Sequence, residues 1–161
     1  MTLFIDLLLW FTLLSVAIMA GLYFAFSVFV MKSLDAIDHP AGMQAMQSIN
    51  RVIVRTLFLP LFFGSTLSAV ALIVIAFIDR AVVGANPLLA GCAIYVAGMF
   101  VVTVVGNVPL NNRLEATDAQ GDQALAVWKD YLARWTRWNS IRTIACTVSL
   151  ALLVLAVAER V

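Results

Sequence analysis

The residues of this 161-residue chain whose types and spacing could do chemistry fall in two segments. In the first, Trp128, Tyr131, Trp135, Trp138 and Arg142 recur at steps of three, four, three and four, which is one face of an α-helix, and Asn139 lies beside them. In the second, Asn107, Asn111 and Asn112 surround Pro109. Indole faces offer stacking surface and attract cations, a guanidinium offers fixed charge in a planar fork, and amides both donate and accept. If the two segments meet, the mixture suits a planar, partly polar aromatic ligand or an anionic headgroup. Gln47, Asn50, Arg51 and Arg55 are expected at the mouth of such a pocket, with Tyr23, Phe24, Ser27, Phe58 and Phe62 as its apolar walls.

Other chemistries find few residues. A single histidine, His39, cannot provide a His-x-x-x-His zinc pair or two haem ligands. His39, Met43 and Met46, with Met31 nearby, form the one soft-donor set, but methionines at helical spacing more often pack than ligate. No glycine-rich phosphate loop or nucleophile elbow is present, and Asp6 and Asp79 sit at the ends of apolar runs. No metal and no organic cofactor are therefore expected.

The surrounding elements follow from composition. The chain is 63% hydrophobic and 12% charged, about half the ~25% charge of ordinary globular proteins, so it is read as a membrane protein. Ten Lys/Arg against nine Asp/Glu leave no basic footprint, and nucleic acid is set aside. Cys92 and Cys146 lie in apolar runs without Cys-x-x-Cys spacing. A helix needs about 20 apolar residues to cross the hydrocarbon, and four stretches qualify, giving spans of about 5–31, 55–78, 87–107 and 138–158. The fold expected is all-α: one domain over 1–161, a polytopic four-helix up-down bundle with helical cytoplasmic extensions. No Lys or Arg precedes the first run, so it is expected to stay as a span rather than be cleaved as a signal peptide.

Eight of the ten basic residues fall in the loops after the first and third spans, leaving Arg80 and Arg160 opposite. Positive-inside bias puts both termini outside a cell membrane, here expected to be a bacterial inner membrane. Ala17, Gly21 and Ala25, Gly64 and Ser68, and Gly84, Gly91 and Gly98 are small residues at helical spacing, which allow close helix approach within the bundle or between copies in a homo-oligomer. The first loop is expected to be a helix, 41–55, running straight into the second span, and a further helix is expected from about Asp122. Pro109 removes a backbone donor, so a broken or kinked helix is expected there, with the asparagines supplying caps and turn bonds.

The tryptophan stripe by itself reads first as an aromatic belt at the headgroup level. Asn139 and Arg142 weigh against that, because buried amides and charges need partners. Arg142 is expected to be held by Asn107 or Asn111 and by an acid, Glu115.

These same residues, Asn107-Val-Pro-Leu-Asn111-Asn112 and then Trp128-x-x-Tyr131-x-x-x-Trp135-x-x-Trp138-Asn139-x-x-Arg142, resemble the anthrone oxygenase-like family of small four-span membrane proteins, also catalogued as a domain of unknown function. Gly21-x-Tyr23-Phe24-x-Phe26-Ser27 and Met46-Gln47-x-Ile49-Asn50 are similar to it too. The resemblance implies, for some members, oxidation of an anthrone to an anthraquinone by O₂ without metal or organic cofactor. It carries Asn107, Pro109, Asn111, Trp135, Trp138, Asn139 and Arg142 over as site positions. In that reaction Arg142 and the asparagines, Asn111 included, would stabilise a phenolate-like oxygen, and the tryptophans would sandwich the rings. His39, or an acid such as Glu115, would remove the proton. Tyr23 and Asn50 complete the expected binding wall. Two other classes stay open: binding or transport of a small lipophilic molecule, and a structural partner subunit.

Overall fold

The computed structural model describes residues 2–78 and 86–159, and among these it contains helices and no strand. The expectations for Asp79, Arg80, Gly84 and Arg160 lie outside the described residues. Four helices are long and apolar enough to cross a membrane: α1, Leu3–Asp35; α3, Phe58–Ile78; α4, Asn86–Glu115; and α5, Ala124–Ala158. A fifth, α2, His39–Ile53, lies between the first two. The chain is a multi-pass membrane protein.

Hydrophobicity alone does not say which face of α1 points inward. Leu3, Phe4, Leu7, Leu14 and Ile18 are exposed, while Ile5, Leu9, Val16 and Met19 are buried beside the polar Thr12 and Ser15. In lipid the outward face can be the most apolar one, and the inward face carries the groups that need partners. Thr12 Oγ1 donates to Ser68 Oγ at 2.8 Å between α1 and α3. The hydroxyls of Ser65 and Tyr95 join α3 to α4 at 2.8 Å.

α1, α3, α4 and α5 close into a ring, with each helix packed on its neighbours in sequence and α5 returning to α1. α4 and α5 are antiparallel, since Gly91 meets Leu152 while Gly106 meets Trp138. Glycine is needed at this seam: a Cβ on Gly98 would strike Ala145, and one on Gly106 would lie 2.6 Å from the Trp138 ring. Gly21, by contrast, has nothing within 4 Å of where its Cβ would be, so it does not serve the packing expected of it.

α2 does not run straight into α3. It stops at Ile53, and in the intervening turn Thr56 Oγ1 donates to the Ile53 carbonyl at 2.8 Å and accepts the Phe58 N–H at 3.2 Å. The ring of Pro60 would clash with a helical carbonyl at Thr56, four residues back, which is why the span starts at Phe58.

The expected break at Pro109 is also absent. α4 absorbs the proline in a π turn, Thr103–Asn107, whose end is marked by the Val108 N–H bonding the Thr103 carbonyl five residues back. Pro109 then falls in the first turn of an α-helical segment, where a missing donor costs little. Asn107 makes no capping bond. α5 is one unbroken helix of 35 residues, roughly 50 Å long and well beyond the ~30 Å of hydrocarbon.

The overhanging start of α5 packs with α2 and the end of α4 around a second apolar core, built on Met43, Met46, Leu114 and Trp128. Met43 and Met46 therefore pack. Gly42 lets α2 cross the end of α1, since a Cβ there would strike the Leu34 carbonyl. Gln47 Nε2 bonds the carbonyls of Leu114 and Thr117 at 2.8 and 2.9 Å, capping the end of α4 from a neighbouring helix rather than facing a pocket.

Candidate functional site

The stripe on α5 faces inward. Trp128, Tyr131, Trp135, Asn139 and Arg142 are all buried, and only Trp138 is half-exposed, so the headgroup-belt reading does not describe these residues. Trp128 stacks on Tyr131 and Tyr131 on Trp135, with both pairs of centroids 5.9 Å apart. Asn111 Oδ1 fixes this column by accepting from Tyr131 Oη at 2.9 Å and Trp135 Nε1 at 2.8 Å.

Two turns further along α5, Arg142 is 4% exposed. Its Nη2 donates to Asn139 Oδ1 at 2.7 Å and its Nη1 to Thr103 Oγ1 at 3.2 Å. Its carbon centre lies 4.2 Å from the Tyr23 ring centroid and 5.3 Å from that of Trp135. Asn139 is held in turn by donating to the Tyr23 carbonyl and to Ser27 Oγ, both at 2.7 Å, beside the π turn Phe26–Val30 of α1.

The partners expected for Arg142 are thus replaced. Glu115 lies about 12 Å beyond Asn107 along α4 and pairs at the surface with Arg51 at 2.7 Å. The Asn111 oxygen is occupied by two ring donors. Asn139, three residues away on the same helix, reaches the guanidinium at no cost in ordering a distant segment. Among the described residues no carboxylate pairs with Arg142: Glu115 pairs with Arg51, and Asp130 with Arg113 and Arg134.

Arg142, Asn139, Thr103, Trp135 and Asn111 line a cavity of about 250 Å³ at the basic end of the bundle. All five helices contribute. Tyr23 comes from α1, Asn50 from α2 and Phe62 from α3; Asn107 and Asn111 come from α4, and Trp135, Asn139 and Arg142 from α5. The π turns of α1 and α4 fall at this wall, as such irregularities often do at functional sites.

Four buried polar atoms on the lining residues make no well-aligned hydrogen bond, namely Arg142 Nε, Asn50 Nδ2, Asn107 Oδ1 and the Tyr23 hydroxyl, although the Tyr23 hydroxyl lies near Thr103 and Arg142, and Asn50 near the Tyr131 hydroxyl. Buried polar groups are usually well paired, so four such atoms around one cavity leave hydrogen-bonding capacity for a ligand. Three can donate and one accepts.

Other expected residues fall elsewhere. Trp138 packs on Gly106 and does not line the cavity, and Phe24 points away at 55% exposure, with Phe26 in the wall instead. His39 is exposed at the start of α2, and Arg55 is exposed outside the cavity. No Asp, Glu, His or Lys among the described residues is in the wall. Among the described residues no cluster of three His, Cys, Asp or Glu could hold a metal ion. The sequence reading missed Thr103, whose hydroxyl looks like any other in an apolar run. It also missed Gly106 and Gly42, each facing a tryptophan.

No curated protein and no solved structure matches the chain. One protein family does: the anthrone oxygenase model covers residues 52–152, well over half of the sequence. That stretch holds the α4 and α5 walls of the cavity, from Thr103 and Asn107 to Asn139 and Arg142, together with the α3 residues that line it. By this match, the chain belongs to the anthrone oxygenase family.

Proposed function

We propose that the cavity binds a compact planar aromatic bearing an acidic hydroxyl or an enolisable ketone, holds it as the anion, and oxygenates an anthrone-like substrate with O₂. The observation that carries this reading is Arg142, a buried cation in the wall of a cavity with no acidic partner. An uncompensated buried charge is costly, and an anionic ligand offsets that cost. A volume of 250 Å³ is small beside the roughly 300–1,000 Å³ of common ligand pockets, which favours one fused ring system over a two-chain lipid.

The chemistry follows from the charge. A guanidinium beside a bound phenol or enol lowers its pKa, so binding selects the electron-rich anion. The donors Arg142 Nε, Asn50 Nδ2 and the Tyr23 hydroxyl suit its oxyanion, and Asn107 Oδ1 suits a neighbouring hydroxyl. The ring carbanion transfers electrons to O₂ and a C–O bond forms, giving a hydroperoxide once protonated. The carbon then loses its second proton as the O–O bond breaks, leaving a ketone and releasing water. One oxygen atom stays in the quinone, and O₂ has taken up four electrons from the former methylene. No side-chain base lines the wall, so the proton is assigned to solvent and not to His39 or Glu115. The positive-inside bias of the loop charges supports a cytoplasmic position for this end of the bundle.

The missing base also favours a second reading, in which the same site binds and carries such a ligand without turning it over. Anthrone supplied under O₂ to the protein in lipid nanodiscs separates the two. The expected result is anthraquinone formation faster than with Arg142→Leu or empty discs, with one O₂ consumed per quinone. Binding without quinone above that background would make the protein a carrier, and absence of binding would discard both readings.

A further inference from the structure

The cavity has a mouth, and its position says where ligands come from. Several lining residues are also exposed on the outer surface: Phe63 at 50%, Val54 at 49%, Val104 at 48% and Val108 at 39%. They sit on the turn before α3, on the first turns of α3, and on the far part of α4. α3 packs on α4 chiefly over Asn86–Val101, whereas the Val108–Glu115 segment packs on α2 and α5. The two helices therefore part at the cavity, and the gap between them is rimmed by apolar side chains. The surface around it is apolar too, with Leu57, Leu67, Val101 and Val105 all exposed. Such a surface faces hydrocarbon in a membrane-spanning bundle. Arg51, Arg55 and Arg113 mark the headgroup level just beyond the rim.

We propose that the cavity is loaded sideways from the bilayer, through the gap between the first turns of α3 and the Val104–Val108 stretch of α4. Its ligands are membrane-dissolved neutral acids that become anions only on reaching Arg142. This rests on the ligand class proposed above and adds the route. The rim selects by chemistry as well as size: a charged or strongly hydrated molecule would have to shed water to pass between Phe63 and Val104, with no polar group on the rim to replace it. Ligand occupancy then follows concentration within the lipid rather than in water.

The test uses the whole protein in phosphatidylcholine vesicles, with 1,8-dihydroxyanthraquinone as probe and quenching of tryptophan fluorescence as signal, since Trp135 lines the cavity. In the unaltered protein, adding lipid at fixed total dye should lower occupancy in proportion to the dilution of dye in the membrane. Val104→Phe with Val108→Phe, which narrows the gap, should slow both association and dissociation by about tenfold, as expected of a gate. Occupancy that follows the aqueous concentration and ignores added lipid would overturn the route, as would unchanged rates in the double variant. Either result, with Arg142→Leu still abolishing quenching, would leave the site standing and remove only its lateral access. A parent protein that the dye does not quench would overturn the site and the route together.

Discussion

Arg142 holds the site together by doing two incompatible things, staying charged and staying buried. Within the chain it has only neutral acceptors and two aromatic faces. Arg142→Leu should therefore change stability little, because relief of a desolvated charge offsets the lost donor to Asn139 Oδ1. Binding of an acidic anthraquinone should nonetheless fall by about 100-fold, in line with the roughly 2–3 kcal/mol of a charged hydrogen bond. Lys should recover only part of that loss, since it lacks the planar fork. Titration of dye into each variant, beside a thermal melt in detergent, reads both quantities. Asn50→Leu is a sharper case. Its amide nitrogen lies near the Tyr131 hydroxyl but makes no well-aligned bond in the free protein, so its removal should cost binding about tenfold and stability little. A large loss of melting temperature instead would show that Asn50 serves the fold.

At the scale of the helices, the site depends on how closely α4 and α5 approach. Gly106 sits under the Trp138 ring, and an added Cβ would come within 2.6 Å of it. Gly106→Ala should cost about 1–3 kcal/mol, as overpacking of a tight contact does, and should weaken dye binding by moving Asn107 beside it. Gly21→Ala, exposed and with open space for its Cβ, should be neutral or slightly stabilising, since alanine is the better helix former. Equal melting temperatures for the two variants would mean that the α4–α5 seam is looser than this packing implies. The π turns belong to the same scale. They let α4 carry Pro109 without breaking and set the Thr103 hydroxyl within reach of Arg142.

For the whole molecule, the membrane decides the arrangement: four spans in a ring, lipid outside, polar pairs inside, and a helical cap on the end that carries most of the basic residues. The topology test is direct. In a variant with Cys92 and Cys146 replaced, single cysteines at Asn86 and Gln120 should label from opposite sides of the membrane. Both positions are exposed, and Asn86 is expected outside. Labelling from one side would refute the span count, and reversed labelling would refute only the direction proposed from the loop charges.

Apolar run length and loop charge were enough to read four spans and the basic end from the sequence, because crossing hydrocarbon imposes a length and hides every backbone polar group, whatever the neighbours. The period of Trp128, Tyr131, Trp135 and Arg142 likewise fixed a shared helix face. Whether that face met lipid headgroups or the interior was not in the period, since both environments accept tryptophan. That was decided by α2 and the end of α4 covering the overhang of α5. The partners of Arg142 were also a tertiary matter: Glu115 looked closest by type, but α4 stays helical through Pro109 and carries it to the surface. A cavity is legible only when all its walls are in place, and here five helices, two of them locally widened by π turns, each supply part of one.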